Sequence, residues 1–190
     1  VRSPAQIRAL SSPVRQEIVD AIEAAGPSTI AEVAASLGRR PDALYFHTRE
    51  LEKVGLLRRV GTRGEGRSAA AVFDLPVRPL RLDYATARGR AARLGPALDA
   101  LLRLARRDTR RALYAAEAVA DGPGRDLWVA RFRGRVTPSD LARINALLEE
   151  CAGILRESRT GPDARPVALA FALTPLTPLD PTDGTRPTKE

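Results

Sequence analysis

Apolar residues return at helical spacing over three consecutive stretches near the start of the chain. Ser12-Pro13 sets a cap residue before a proline at the first helical position, and Val14, Ile18, Ala21 and Ile22 follow on one stripe until Gly26-Pro27 stops it. Thr29-Ile30-Ala31-Glu32 has capping-box spacing, in which hydroxyl and carboxylate each satisfy a free backbone N–H, and predicts a short helix ending at Gly38. Pro41 opens a third helix that runs to Gly55. Residues 56–60 and 69–75, on either side of the Gly-rich turn 61–66, read as a two-stranded hairpin. The predicted order is helix, helix, turn, helix, hairpin.

Pro76, Pro79 and Gly95-Pro96 punctuate a connecting stretch. A long helix over 97–120 is expected next, with Leu98, Leu101, Ala105, Ala112, Ala116 and Val119 on one stripe and Arg103, Arg106, Arg107 and Arg110 opposite. One helix cannot bury such a stripe alone. Pairing with the same helix of a second subunit would cover it and supply a two-fold axis, and packing inside one subunit is the alternative. Beyond Gly122-Pro123-Gly124 the pattern predicts a strand over 127–133, a helix over 137–158 capped by Thr137-Pro138-Ser139-Asp140, and a strand over 167–173. Val167, Leu169, Phe171 and Leu173 alternate there with alanines. Leu141, Ile144, Leu148 and Leu155 are expected to pack on the two strands, with Cys151 an inert core thiol. Trp128 and Phe132 share one strand face, either as core or as the lining of an apolar effector pocket. The Pro-rich tail from Thr177 reads as disordered.

The fold class expected is therefore α+β and mainly helical. Residues 1–76 form a winged helix-turn-helix, 77–122 a linker and long dimerisation helix, 123–176 a small β-α-β dimerisation or effector unit, and 177–190 a disordered tail.

At 190 residues and 44% hydrophobic the chain can build real cores. Its net charge is +8, and its 31 basic residues are nearly all arginine, which favours phosphate-bearing partners. The excess lies mostly between 77 and 122, so basicity alone says little about the first domain. One cysteine and one histidine, His47, cannot make a disulfide framework or a four-ligand zinc site within one chain. A metal sensor needs clustered Cys, His and carboxylate ligands, which the chain lacks, although carboxylates shared between subunits stay open. His47, on the flank of the buried face of its helix, reads as a satisfied structural histidine. Residues 1–6 hold no apolar signal core, and the nearly uncharged run 166–179 is too short to span a bilayer. A reducing cytoplasm, no membrane and no cofactor are the expectations.

Ala9-Leu10-Ser11-Ser12-Pro13-Val14-Arg15, Ile30-Ala31-Glu32-Val33-Ala34 with Leu37-Gly38, Leu44-Tyr45-Phe46-His47, and Leu51-Glu52-Lys53-Val54-Gly55-Leu56-Leu57 resemble the winged helix-turn-helix of ArsR-like regulators. The resemblance covers about the first 75 residues. It implies a homodimeric transcription factor, usually a repressor, whose third helix enters the major groove of a palindromic operator. The order of strand, capped helix and strand after Arg106-Arg107-Asp108-Thr109-Arg110-Arg111 is similar to the C-terminal half of some ArsR-like regulators, and it identifies no ligand.

Helical geometry gives the same face independently. With Leu44 at zero and about 100° per residue, Thr48 and Leu51 lie near it, and Asp42, Tyr45, Phe46, Arg49 and Lys53 spread over the other side. A groove-facing Phe46 can pack on a thymine methyl, with Arg49 free for guanine or phosphate; a Phe46 tucked under a neighbouring loop is the alternative. Asp42, Tyr45, Phe46 and Arg49 are the candidate base readers. Arg39 and Arg40 at the helix entrance, with Arg63 and Arg67 at the hairpin tip, are the candidate phosphate contacts. Leu98, Leu101, Ala105, Ala112 and Ala116 are the candidate dimer contacts.

The stretch 61–68 nearly spells a phosphate-binding NTPase loop. Arg67 stands where the lysine is needed, and a strand rather than a helix is expected after it. With no nucleophile constellation or carboxylate pair, an enzyme is not expected. The other class left open is a winged-helix module for nonspecific DNA packaging or for protein contacts.

Overall fold

Helix starts at Pro4, Ile30 and Pro138 are closed by capping boxes, whereas the helix after Ser12 begins at Pro13 without a side-chain cap bond from that serine. The computed structural model describes residues 1, 3–80, 91–157 and 164–176, and the side chains of Arg67 and of residues 91–93 lie outside that description, as does the predicted tail 177–190. The elements are α1 (Pro4–Ala9), α2 (Pro13–Ala25), β1 (Ser28–Thr29), α3 (Ile30–Ser36), α4 (Asp42–Lys53), β2 (Arg58–Arg63), a single 3-10 turn (Gly66–Ser68), β3 (Ala70–Asp74), α5 (Ala91–Tyr114) and α6 (Pro138–Arg156).

Thr29 caps α3 as its sequence requires. Its Oγ1 accepts from the Glu32 N–H at 3.3 Å, and the Glu32 carboxylate accepts from the Thr29 N–H at 2.8 Å. Ser3 and Gln6 make the same box for α1, which is too short to show a helical period. Glycine ends α3 and α4 alike. Gly38 (φ +61°) and Gly55 (φ +69°) occupy the left-handed region, and in each case the next N–H bonds back to a carbonyl in the last turn: Arg39 to Ala34 at 2.8 Å, Leu56 to Leu51 at 2.9 Å. A β-carbon there would be strained, and the reversal between α3 and α4 would loosen.

The hairpin β2–β3 forms as expected, but it gains a third strand. Ser28 and Thr29 pair with Phe73 and Val72, giving an antiparallel sheet of order β1-β3-β2. Val60 is the extra residue of a bulge between the Arg59–Phe73 and Gly61–Val72 pairs. Two residues are too few to show a strand period, so β1 is invisible in the sequence.

Ile18 and Ile22 of α2, Leu44 and Leu51 of α4, and Leu56, Leu57 and Leu75 are the largest fully buried side chains. Each contributes roughly 1.5–3 kcal/mol by leaving water. α5 joins this core through Leu94 and Ala97 and also buries Ala100 and Leu104, and Gln16 of α2 clasps it by donating from Nε2 to the Ala97 carbonyl at 2.8 Å. Gly95-Pro96 therefore does not break the chain. α5 starts ahead of it, because the apolar row that spans Pro96 outweighs the loss of one helical hydrogen bond. It also ends at Tyr114 rather than near 120. The Val119 N–H bonds to the Asp126 carboxylate at 2.8 Å and its carbonyl accepts from the Asp126 N–H at 2.9 Å, so this stretch is a loop, and Ala116 is not on the helix.

The C-terminal unit departs further from expectation. Residues 127–133 and 167–173 are extended but form no ladder, so no β-α-β unit closes among the described residues. α6 is capped by Thr137 and Asp140 as predicted, yet it buries no side chain. Leu141 is exposed, Ile144, Leu148 and Leu155 are half-buried, and Cys151 is exposed rather than a core thiol. Trp128 and Phe132 are likewise neither core nor an enclosed pocket; Trp128 instead stacks under the Arg125 guanidinium at 3.8 Å.

Three outcomes test these contacts. Leu44→Ala should lower the unfolding free energy by about 2–5 kcal/mol in urea denaturation. The Thr29 N–H, followed by its hydroxyl and by Arg63, holds the Glu32 carboxyl below its ordinary range. The stabilisation from a carboxylate so depressed is full above the unfolded value and disappears as pH falls through the folded one. Thr29→Ala keeps its backbone N–H but removes the Oγ1 cap of the Glu32 N–H, and should cost about 1 kcal/mol at neutral pH. Glu32→Gln should make the acid decline in stability shallower, measured by urea midpoints across the carboxylate range.

Candidate nucleic-acid interface

α4 has one face spent and one face free. Leu44, Thr48 and Leu51 are buried, and the Thr48 hydroxyl donates to the Leu44 carbonyl at 3.0 Å, so its polarity is satisfied inside the helix. The opposite face carries exposed Asp42, Tyr45, Phe46 and Arg49, with Tyr45 50% and Phe46 64% accessible. Phe46 is not tucked under a loop. Its ring meets His47 edge-on, at 5.5 Å between centroids and 73° between planes. Lys53, on the same side, is held by Glu50 at 2.6 Å.

His47 sits half-buried on the flank of α4, where the pattern placed it, but it is not fully satisfied. Its Nδ1 is buried without a partner. Burial first, then the charges of Arg15 and Arg39, hold its pKa below the usual value, so the ring is neutral at physiological pH.

The candidate phosphate contacts divide by partner. Arg39 turns inward: its Nη2 pairs with Glu17 Oε2 at 2.7 Å, its side chain is only about a third exposed, and its Nε is buried without an acceptor. Glu17 also receives Arg107 Nη1 of α5 at 2.7 Å, and Arg107 bonds Asp108 at 2.6 Å. The entrance of α4 is thus tied through α2 to α5. Arg40 remains outward and meets Asp42 at 3.3 Å with both side chains exposed. Arg63 pairs with Glu32 at the start of α3 and donates to the Pro27 carbonyl at 3.3 Å. The backbone of Arg67 lies in the 3-10 turn.

Glu17 is the residue that sequence reasoning missed. It falls within the stripe of Val14, Ile18 and Ala21, and a carboxylate on a buried stripe signals a buried cation beside it. Arg58 and Arg59 are exposed on β2, where adjacent arginines on a short strand mark a charged surface. β3, not a helix, follows the Gly-rich stretch 61–68, so the strand–loop–helix order of a phosphate-binding NTPase loop is not formed there.

Among the described residues, no group of three His, Cys, Asp or Glu side chains is placed to hold a metal ion, and no helix is long and apolar enough to cross a membrane. The model of a family described as a helix-turn-helix domain matches residues 10–60, from the end of α1 into β2 and including all of α4. No curated protein matches the chain. The family match supports a helix-turn-helix unit that binds DNA in transcription regulation.

Proposed function

We propose that the chain is a homodimeric, sequence-specific transcriptional regulator of ArsR-like type that represses by covering promoter DNA. The observation that carries this reading is the exposed Tyr45, Phe46 and Arg49 face of α4, on a helix whose other face is locked in the core. An exposed aromatic gains little in water. In a major groove Phe46 packs on a thymine methyl or a sugar, Arg49 meets guanine, and Asp42 and Tyr45 reach neighbouring base edges.

In this reading the β2–β3 hairpin is the wing, and Arg63 and Arg67 lie over phosphates. Arg63 must leave Glu32 to do so. An exposed ion pair is worth about 0–1 kcal/mol, so the exchange for a phosphate costs little. Arg40 is released from Asp42 in the same way. Arg39 cannot be released so cheaply, and its role shifts from phosphate contact to holding the helix entrance against Glu17.

α5 supplies the dimer contact. Leu94, Ala97, Ala100 and Leu104 are spent within the chain, and Leu98 is partly so. Leu101, Ala105 and Ala112 are left along the edge of that row for a second α5. A two-fold axis there would set two α4 helices on successive turns of a palindromic operator. We assign no catalytic activity, metal or effector, and place the protein in the cytoplasm.

Binding to the DNA upstream of its own gene should exceed binding to random duplex by about 10³-fold or more at physiological salt, and equal affinities would overturn sequence-specific regulation. Arg49→Ala should lose about 1–3 kcal/mol on the operator while leaving random duplex unaffected. Arg63→Ala should weaken both alike and reduce the salt slope by about 1. Equal losses from the two variants would contradict this division between base reading and phosphate contact.

A further inference from the structure

The two extended stretches after α5 meet at one ion pair and form no ladder with each other. Arg165 Nη1 meets Asp126 Oδ2 at 3.4 Å, which fixes the start of 167–173 beside the start of 127–133. Among the described residues, the backbone of 128–136 and 164–176 makes no hydrogen bond. Their side chains are as bare as their backbones. Trp128 is 65% and Phe132 85% exposed, and Val167, Leu169, Phe171 and Leu173 are each about half exposed. α6 covers neither stretch, since none of its residues is buried.

Aromatic side chains carry about 150–250 Å² each, so these six residues leave roughly 500 Å² or more of apolar surface in water. Summed over the two stretches, that is comparable in size with the largest apolar patch of a typical monomer. Unpaired strand edges beside it call for a partner that also supplies backbone hydrogen bonds.

We infer that this partner is a second copy of the chain, joined through an antiparallel pairing of 167–173 with its own counterpart about Ala170. The order of residues makes that segment self-complementary. Centring two antiparallel copies on Ala170 sets Leu169 opposite Phe171 and Val167 opposite Leu173 on one face, with Ala168 opposite Ala172 on the other. No charge occurs from Pro166 to Leu176, so no like charges meet. The segment 127–133 is less suited to the seam, because two antiparallel copies centred on Ala130 set Arg131 opposite Val129 and Arg133 opposite Leu127, placing guanidiniums where apolar side chains would have to pack. It flanks the seam instead. Two strands per chain are marginal, whereas four from a two-fold pair make a sheet that α6 of each copy can cover.

This seam deepens the dimeric reading above and rests on it, while standing apart from the α5 contact. Cys151 is the sole cysteine and is exposed, so a Cys151→Ser background is suited to single-cysteine cross-linking. Residues facing each other across an antiparallel pair lie within disulfide range. Ala170→Cys in that background should give a disulfide-linked dimer on mild oxidation, whereas Ser139→Cys on α6 should not. Phe171→Arg should weaken dimerisation at least tenfold by analytical ultracentrifugation, with the helical circular dichroism signal retained. A dimer that keeps its affinity in Phe171→Arg and forms no 170–170 cross-link overturns the seam but leaves the dimeric regulator intact. A wild-type chain that sediments as a monomer overturns both.

Discussion

Burial of Leu44, Thr48 and Leu51 is the constraint from which the exposed face of α4 follows. A helix has one angular position for each residue, so fixing this stripe against α2 and α3 fixes Tyr45, Phe46 and Arg49 outward. The magnitudes favour only this rotation. Exposing Leu44 and Leu51 would lose roughly 3–6 kcal/mol, and burying Phe46 in exchange would regain about half of that while drawing Arg49 towards the core. The glycines at 38 and 55 hold the two ends of the helix in the matching orientation. An aromatic beside an arginine on a helix face is therefore a forced presentation, not a packing error.

Charge in the first domain falls into two kinds. Glu17, with Arg39 on one oxygen and Arg107 on the other, is a largely buried ion network that links α4, α2 and α5. Removing one partner would strand the others out of water, so the network is a fixed joint. Arg40–Asp42 and Arg63–Glu32 are solvent-exposed pairs whose partners can be traded for phosphate at little cost. A near-neutral domain can bind a polyanion on these terms. What matters is which arginines are held weakly, not how many there are.

Much of this domain is legible in the sequence because local rules and the tertiary fold agree. The capping boxes at Thr29 and Thr137, the proline entrance at Pro13 and the glycine stops appear where spacing puts them. The same holds for the exposed face of α4, which follows from angular position alone. Misreadings arise where a distant contact decides. Pro96 looked like a boundary, and burial of Leu94, Ala97 and Ala100 overrode it. Arg39 looked free, and Glu17, distant in sequence, claimed it. The alternating apolar pattern of 167–173 predicts a strand, but no ladder forms there among the described residues, since period marks a segment that can pair and does not supply the partner.

DNase footprinting on the intergenic DNA beside the gene tests the central claim most directly, because it reads geometry as well as affinity. If α4 of each subunit enters the major groove, the protein should protect one interval with two-fold symmetry, its half-site centres about 10–10.5 bp or a multiple apart. Phe46→Ala, which leaves the buried face of α4 untouched, should need more protein to give the same pattern. Uniform protection that spreads along the fragment, or no protection at protein concentrations well above the micromolar range, would contradict it.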